Sequence, residues 1–400
     1  MSHSQPNTQS NSPDKGTLIA AALVLAAVGS MFYNLLPLII GVAQDDRGLS
    51  PSELGLLSAA FFLGFNAVSA SAFFWLHRFG QRRVAIIAVL AASVAMLISS
   101  APSYPTMLAF TAFAGGAFGV LYGLASTLIG RTTHQARWFG VKISLEAMLG
   151  VLLILILPNT LIAAYGYSGL VAGVVLTACL LAPAFIALPR AALAADGSSP
   201  SPDTGAAVPL AGERTAIWLA LSACLFFFSG QTTVWAFVER LAANADFDPD
   251  QVAGLLSLTL VFAVLGSLSA AALADRFGNL LPFLAACALF LIGDAMLFRS
   301  SEFLAYGTGA CIVMYSTGLG ISYCIAEIAR LDPDGRHIVL SVPAVGAGAM
   351  LGPGIAGFLA EAYGYPAVLL FGAVTVATSM LLLTLAWRRA TLLAASKLGI

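Results

Sequence analysis

WLHRFGQR, residues 75–82, and ALADRFGN, residues 272–279, decide the fold. Each is a short charged turn in a chain that is otherwise apolar. Each has long apolar runs on both sides. Arg78-Phe79-Gly80 recurs as Arg276-Phe277-Gly278, 198 residues later. Two further matches keep the register. Ala164-Tyr165-Gly166-Tyr167 recurs as Ala362-Tyr363-Gly364-Tyr365, and GLLS at 55–58 recurs at 254–257, one residue out of step. One such match could be chance. Three in register argue that the chain is a duplicated unit.

The composition says what surrounds that unit. Of 400 residues, 59% are hydrophobic and only 9% charged, with mean hydropathy +0.92. Soluble domains carry about 25% charged residues, so the solvent of this chain is lipid. A net charge of −1 excludes a basic surface for nucleic acid. The five cysteines lie in apolar segments without CxxC spacing and read as small buried hydrophobes. Residues 1–16 are polar and rich in Ser, Asn and Pro, and read as a disordered tail. The apolar run 17–42 is too long for a signal peptide and is the first span.

A membrane-crossing helix needs roughly 17–25 mostly apolar residues. Twelve stretches qualify: 17–42, 53–76, 84–100, 106–130, 138–160, 168–188, 215–239, 250–273, 281–298, 303–329, 338–360 and 366–387. No strand-like alternation runs through the chain, which excludes a β-barrel. With the N-terminus inside, fifteen Lys and Arg fall on the inner side. Only Arg47, Arg240 and Arg299 fall outside. Both termini are therefore expected in the cytoplasm. The Pro-, Gly- and Ser-rich stretch 189–214 reads as a cytoplasmic linker. It divides the spans into two six-helix bundles, 17–188 and 215–387, followed by a tail at 388–400. The fold class is all-α, with twelve transmembrane helices in two pseudo-symmetric halves.

Over roughly residues 17–387 the sequence resembles the major facilitator superfamily. The most specific token is the loop between spans 2 and 3, which in that family reads G-x-x-x-D-R-x-G-R-R. Here it holds Phe73, His77, Arg78, Gly80, Arg82 and Arg83; the second copy holds Ala271, Asp275, Arg276 and Gly278. The resemblance implies a cytoplasmic gate, in which the acid of the loop docks on a helix of the opposite half. By pseudo-symmetry Asp275 is expected near Arg137, at the start of span 5. His77 replaces the acid in the first copy. It reads either as a weaker, pH-dependent latch or as an ordinary solvated histidine.

Polar groups inside the membrane are the remaining candidates, since an ionised side chain there costs about 2.5–3.5 kcal/mol on insertion scales. Glu146, in span 5, reads as a proton-coupling carboxylate. The alternative is a structural carboxylate paired with Lys142, four residues earlier. In span 7, Phe227, Gln231, Trp235 and Glu239 recur every fourth residue and form one stripe. Gln231 corresponds to Tyr33 and Thr232 to Asn34 across the repeat. Tyr33, Asn34, Gln231 and Trp235 are expected to meet a ligand between the halves, with Tyr122 and Tyr315 as further lining. The alternative is that Gln231 and Asn34 bond neighbouring helices. Glu239 and Arg240 read as an outer gate or a solvated rim. Gly348, Gly352, Pro353 and Gly354 in span 11 read as a hinge. Asn66 reads as helix–helix glue and Asp294 as structural. No lone mid-membrane base is evident, so a strongly anionic substrate lacks an obvious clamp. Span 5 lacks the Gly-Pro cluster that marks the family's antiporters.

The chain holds no GxxxxGK[ST], HExxH or CxxC, so neither ATP hydrolysis nor a catalytic or metal centre is indicated. The sequence therefore reads as a membrane transporter and not an enzyme. It is expected to move a small organic solute by alternating access, with proton-coupled uptake or exchange of a metabolite as the leading form and proton-driven efflux of drugs or metabolites as the alternative. The expected partners are the solute, a proton and the bilayer. No cofactor or nucleic acid is expected, and the protein is expected to be a monomer. The resemblance places it in a bacterial inner membrane.

Overall fold

The computed structural model describes residues 15–75, 78–191, 211–273, 276–299, 302–332, 337 and 340–398. The N-terminal tail, His77, Asp275 and most of the linker lie outside the described residues. The described residues form thirteen α-helices: α1 (Gly16–Asn34), α2 (Leu36–Arg47), α3 (Pro51–Trp75), α4 (Gln81–Ser99), α5 (Tyr104–Ile129), α6 (Gln135–Ile156), α7 (Ala163–Leu181), α8 (Ala211–Asn244), α9 (Pro249–Leu273), α10 (Leu280–Arg299), α11 (Phe303–Leu331), α12 (Ser341–Tyr363) and α13 (Pro366–Leu398). α1 and α2 together make the first crossing.

By length and composition, eleven helical stretches among the described residues could cross a membrane. One of them, Arg137–Ala187, is 51 residues long and holds two crossings. The reversal is at Gly166, whose φ of 55° and ψ of −135° break the helix. Its repeat partner Gly364 has φ 81° and ends α12. A side chain is strained at both angles, which is why the duplicated Ala-Tyr-Gly-Tyr keeps its glycine. At Gly166 there is a second reason: a Cβ would strike the carboxylate of Asp46, which accepts the Tyr167 N–H at 3.1 Å. Pro158, lacking an N–H, starts a single π turn, Pro158–Ile162, ahead of that reversal.

Even-numbered crossings put both ends of the chain on one face, here called the terminal face; the opposite one is the far face. Within the first half α3 packs on α5, and within the second α10 packs on α11 and α8 on α13. Between the halves α3 meets α12, α6 meets α9 and α2 meets α8. The outer wall is apolar and bare, with Leu90, Val94, Phe113, Leu180, Phe298, Leu304 and Leu370 all exposed. An apolar wall of this kind suits lipid, where helices satisfy their own backbone. The sequence-based bounds shift at some ends. The first crossing extends to Arg47, α8 runs from Ala211 to Asn244, and α13 continues through Arg388 and Arg389 to Leu398. A strongly helix-forming run, TLLAASKL, carries α13 past the membrane, where no breaker stops it.

Gly166→Ala and Gly364→Ala should each destabilise the protein by about 1–3 kcal/mol through backbone strain. Gly166→Ala should cost more, because of Asp46. Thermal unfolding in detergent reads the order; Gly254→Ala, where a Cβ meets nothing within 4 Å, is the control.

Candidate functional site at the seam between the halves

The first crossing is broken where the halves meet. Pro37 has no N–H, so the carbonyl of Tyr33, four residues earlier, loses its helical partner. The indole Nε1 of Trp235, from α8 in the other half, donates to that carbonyl at 2.8 Å. The Tyr33 ring lies against Phe228 of α8, with centroids 6.3 Å apart. Asn34 turns the other way. Its Nδ2 donates to the backbone carbonyl of Glu146 at 2.9 Å and ties α1 to α6.

Glu146 lies one turn above Lys142 on α6. The Lys142 ammonium is 2.8 Å from Glu146 Oε1 and 3.9 Å from the centroid of the Tyr122 ring. The Lys142 side chain is only 3% exposed, and that of Glu146 11%. Lys142, counted from sequence among the cytoplasmic bases, is thus a buried cation beside the seam. Its charge is paired with Glu146, so it is not a lone base. The four-residue spacing was visible in the sequence; the depth of the lysine was not. Tyr122 is held by close packing of α5 on α1 at Gly29 and by Phe65, 5.6 Å away.

In the second half Gln231 is buried and bonded within its own bundle. Its Nε2 donates to Ser316 Oγ at 3.1 Å, and its Oε1 accepts from Thr317 Oγ1, both on α11. Tyr315 is half-buried, and its carbonyl lies against Gly266 of α9. The α12 glycines act through contact. Gly348 and Gly352 face α8 at Leu225, Ser229 and Thr232, while Gly354 faces Ala59 of α3. α12 therefore lies tightly between its own bundle and the opposite one, and it runs unbroken through Pro353. Asn66 of α3 abuts Gly346 of α12, also across the seam. Asp294 is buried near the far end of α10. An apolar groove of about 360 Å³ between α9 and α11, lined by Leu258 and Leu304 among others, opens towards lipid and touches none of these groups.

At the far face three charged residues meet across the seam. Arg240 Nη1 and Nη2 donate to the two Asp45 oxygens at 2.6 and 3.0 Å; Nε and Nη2 donate to Glu239 at 2.5 and 2.6 Å. Asp45 belongs to the first half and Arg240 to the second, so the pair spans the seam. Beside it the Tyr365 hydroxyl donates to Gln44 Oε1 at 3.1 Å, and the Ser52 N–H donates to Glu361 at 3.0 Å. Sequence reading named Glu239 and Arg240 but missed Asp45 and Gly41. A Cβ on Gly41 would enter the Glu239 carboxylate. The QDDR run at 44–47 was the available signal for Asp45.

On the terminal face the two RFG loops are fastened differently. The first is stitched to residues 188–191: Arg82 Nε donates to Leu188 O at 3.0 Å, and the Gln81 N–H to Ala191 O at 3.2 Å. The second is tied through Asn279, whose Nδ2 donates to Glu327 at 3.1 Å; Arg330 Nε also donates to Glu327, at 2.9 Å. Arg78 and Arg276 are exposed, and Arg137 is exposed with its guanidinium 5.4 Å from the Trp138 ring centroid. The proposed partners His77 and Asp275 lie outside the described residues.

Twelve crossings in two related bundles, with polar groups along the seam and an ion cluster across it at one face, are the architecture of a membrane transporter. A family model described as Major Facilitator Superfamily matches residues 18–329, and the chain belongs to that family. No curated protein matches it in sequence. Among solved structures, it resembles the nucleoside transporter NupG at TM-score 0.68 and 13% identity, covering 93% of this chain and 98% of that one. It also resembles a bacterial homologue of the human lysosomal transporter Spinster, in its inward-facing occupied form, at TM-score 0.66 and 15% identity over 93% and 96% of the two chains. The human organic anion transporter MFSD10 gives TM-score 0.62 and 15% identity over 92% and 98%.

Arg240→Gln strands Glu239, whose side chain is 17% exposed, and should lower stability by about 3 kcal/mol. Asp45 is 69% exposed, and Asp45→Asn should cost under about 1 kcal/mol. Denaturant unfolding in detergent measures both; equal costs would contradict this ranking.

Proposed function

We propose that this chain is a proton-coupled transporter that takes up or exchanges a small organic metabolite across a bacterial inner membrane, as a monomer with both termini in the cytoplasm. The observation that carries the reading is Glu146, a carboxylate buried beside the seam and tied through its backbone to the break in the first crossing. A proton arriving there removes the charge that holds Lys142, so protonation changes the pairing next to the inter-half contacts. The far-face clamp keeps that region from the outside, and alternating access requires Arg240 to release Asp45.

Tyr33, Asn34, Tyr122, Trp235 and Tyr315 line the path of the solute, with Gln231 holding Ser316 and Thr317 opposite. Gly348, Gly352, Pro353 and Gly354 let α12 slide between α8 and α3. His77, Arg78, Asp275, Arg276 and Arg137 close the cytoplasmic side. The excess of Lys and Arg on the terminal face supports the orientation. The neighbours named for nucleosides and organic anions fit a small organic solute. The absence of the antiporter Gly-Pro cluster from α6 favours uptake over efflux.

A thermal-shift screen of purified protein against metabolites and drugs identifies a ligand. In proteoliposomes, an inward proton gradient should then drive its accumulation, and a protonophore should abolish it. Glu146→Gln should remove accumulation while sparing exchange. Unchanged accumulation by this variant refutes the coupling role.

A further inference from the structure

A buried lysine needs a negative charge beside it in every state of the cycle, because an unpaired ammonium in hydrocarbon is costly. Among the described residues the ion pair of Lys142 is with Glu146, at 2.8 Å. The Tyr122 ring face, 3.9 Å from the ammonium, adds a cation–π attraction but no net charge. The titratable groups facing Glu146 are Lys142 on its own helix and Tyr122 from α5, with Tyr33 of α1 beyond Tyr122. From α9 come Leu260, near Gly150, and the Ser257 hydroxyl, 3.5 Å from the Val151 carbonyl one turn further along α6. Lys142 is thus the positive charge at this place, and Glu146 is its counter-charge.

That arrangement restricts what a proton on Glu146 can accompany. Neutralising Glu146 with nothing else bound leaves Lys142 stranded. A neutral solute does not cure this, and a cationic one adds to the repulsion. The geometry points to an organic anion as the substrate, its carboxylate or similar group pairing with Lys142 when Glu146 carries the proton. The site then holds zero net charge both empty, with Lys142 and Glu146 ionised, and loaded, with Lys142 and the anion ionised. One proton and one anionic group enter together. Tyr33, Phe65, Tyr122 and Phe228 supply aromatic surface for an apolar body. This inference rests on the coupling role proposed for Glu146 and names the class of solute that role requires.

The test uses sodium formate and sodium benzoate as probes in thermal unfolding of the purified full chain, at pH 5.5 and 7.5. The variants are Glu146→Gln, which mimics the protonated acid, and the double variant Lys142→Gln/Glu146→Gln, which has no charge to satisfy. At a hundredfold excess over Kd, either salt should raise the Tm of Glu146→Gln by about 3 °C, saturably and at both pH values. Wild type should respond at pH 5.5 and much less at pH 7.5, and the double variant at neither. Equal shifts, or none, in the single and double variants overturn the inference. If Glu146→Gln does not fold, wild type, Lys142→Arg and Lys142→Gln at pH 5.5 replace it. A response kept by Arg and lost by Gln supports the inference, and no response in wild type overturns it. The two readings fail separately. Proton-driven accumulation that survives Glu146→Gln refutes the coupling, whereas coupled accumulation of a neutral solute such as uridine refutes only the anion.

Discussion

In hydrocarbon, a backbone carbonyl without a donor is expensive, and the carbonyl of Tyr33 has lost its own because Pro37 carries no N–H. Trp235 supplies the missing donor from the opposite half. This one bond explains why the first crossing can break, why the break lies at the seam and why α8 packs beside it. A break satisfied from within its own bundle would not depend on how the bundles sit. A break satisfied across the seam does.

The charged groups obey the same rule on a larger scale. In the first half Lys142 and Glu146 neutralise each other beside that break. At the far face Arg240 is held between Asp45 and Glu239, one carboxylate from each half. Both clusters belong to helices that cross or border the seam. The glycines of α12 allow one helix to lie close to both bundles.

Much of this was legible in the sequence. The repeated RFG and Ala-Tyr-Gly-Tyr segments announced the duplication, and Gly166 and Gly364 do the same job in both copies because their backbone angles admit little else. The apolar runs announced the crossings, since only helices of that length satisfy a backbone in lipid. The candidate site was less legible. Periodicity put Gln231 and Trp235 on one stripe, but it could not tell that Gln231 would be taken up by Ser316 and Thr317. Lys142 looked like a flanking base because position along a helix does not reveal burial by neighbouring helices. The Asp45 contact was invisible, because its partner lies 195 positions away.

Rocking of the two bundles about the seam would open one face as the other closes. Spin labels report this most directly. In a background with the five native cysteines replaced, one pair is placed on the far face at Ser103→Cys and Ala245→Cys, and another on the terminal face at Arg83→Cys and Phe277→Cys. Pulsed electron–electron distance measurements should show two populations for each pair. When Arg240→Ala is added, the far-face pair should shift to its longer distance and the terminal-face pair to its shorter one. A single unchanged distance at either face, or both faces lengthening together, would contradict the account.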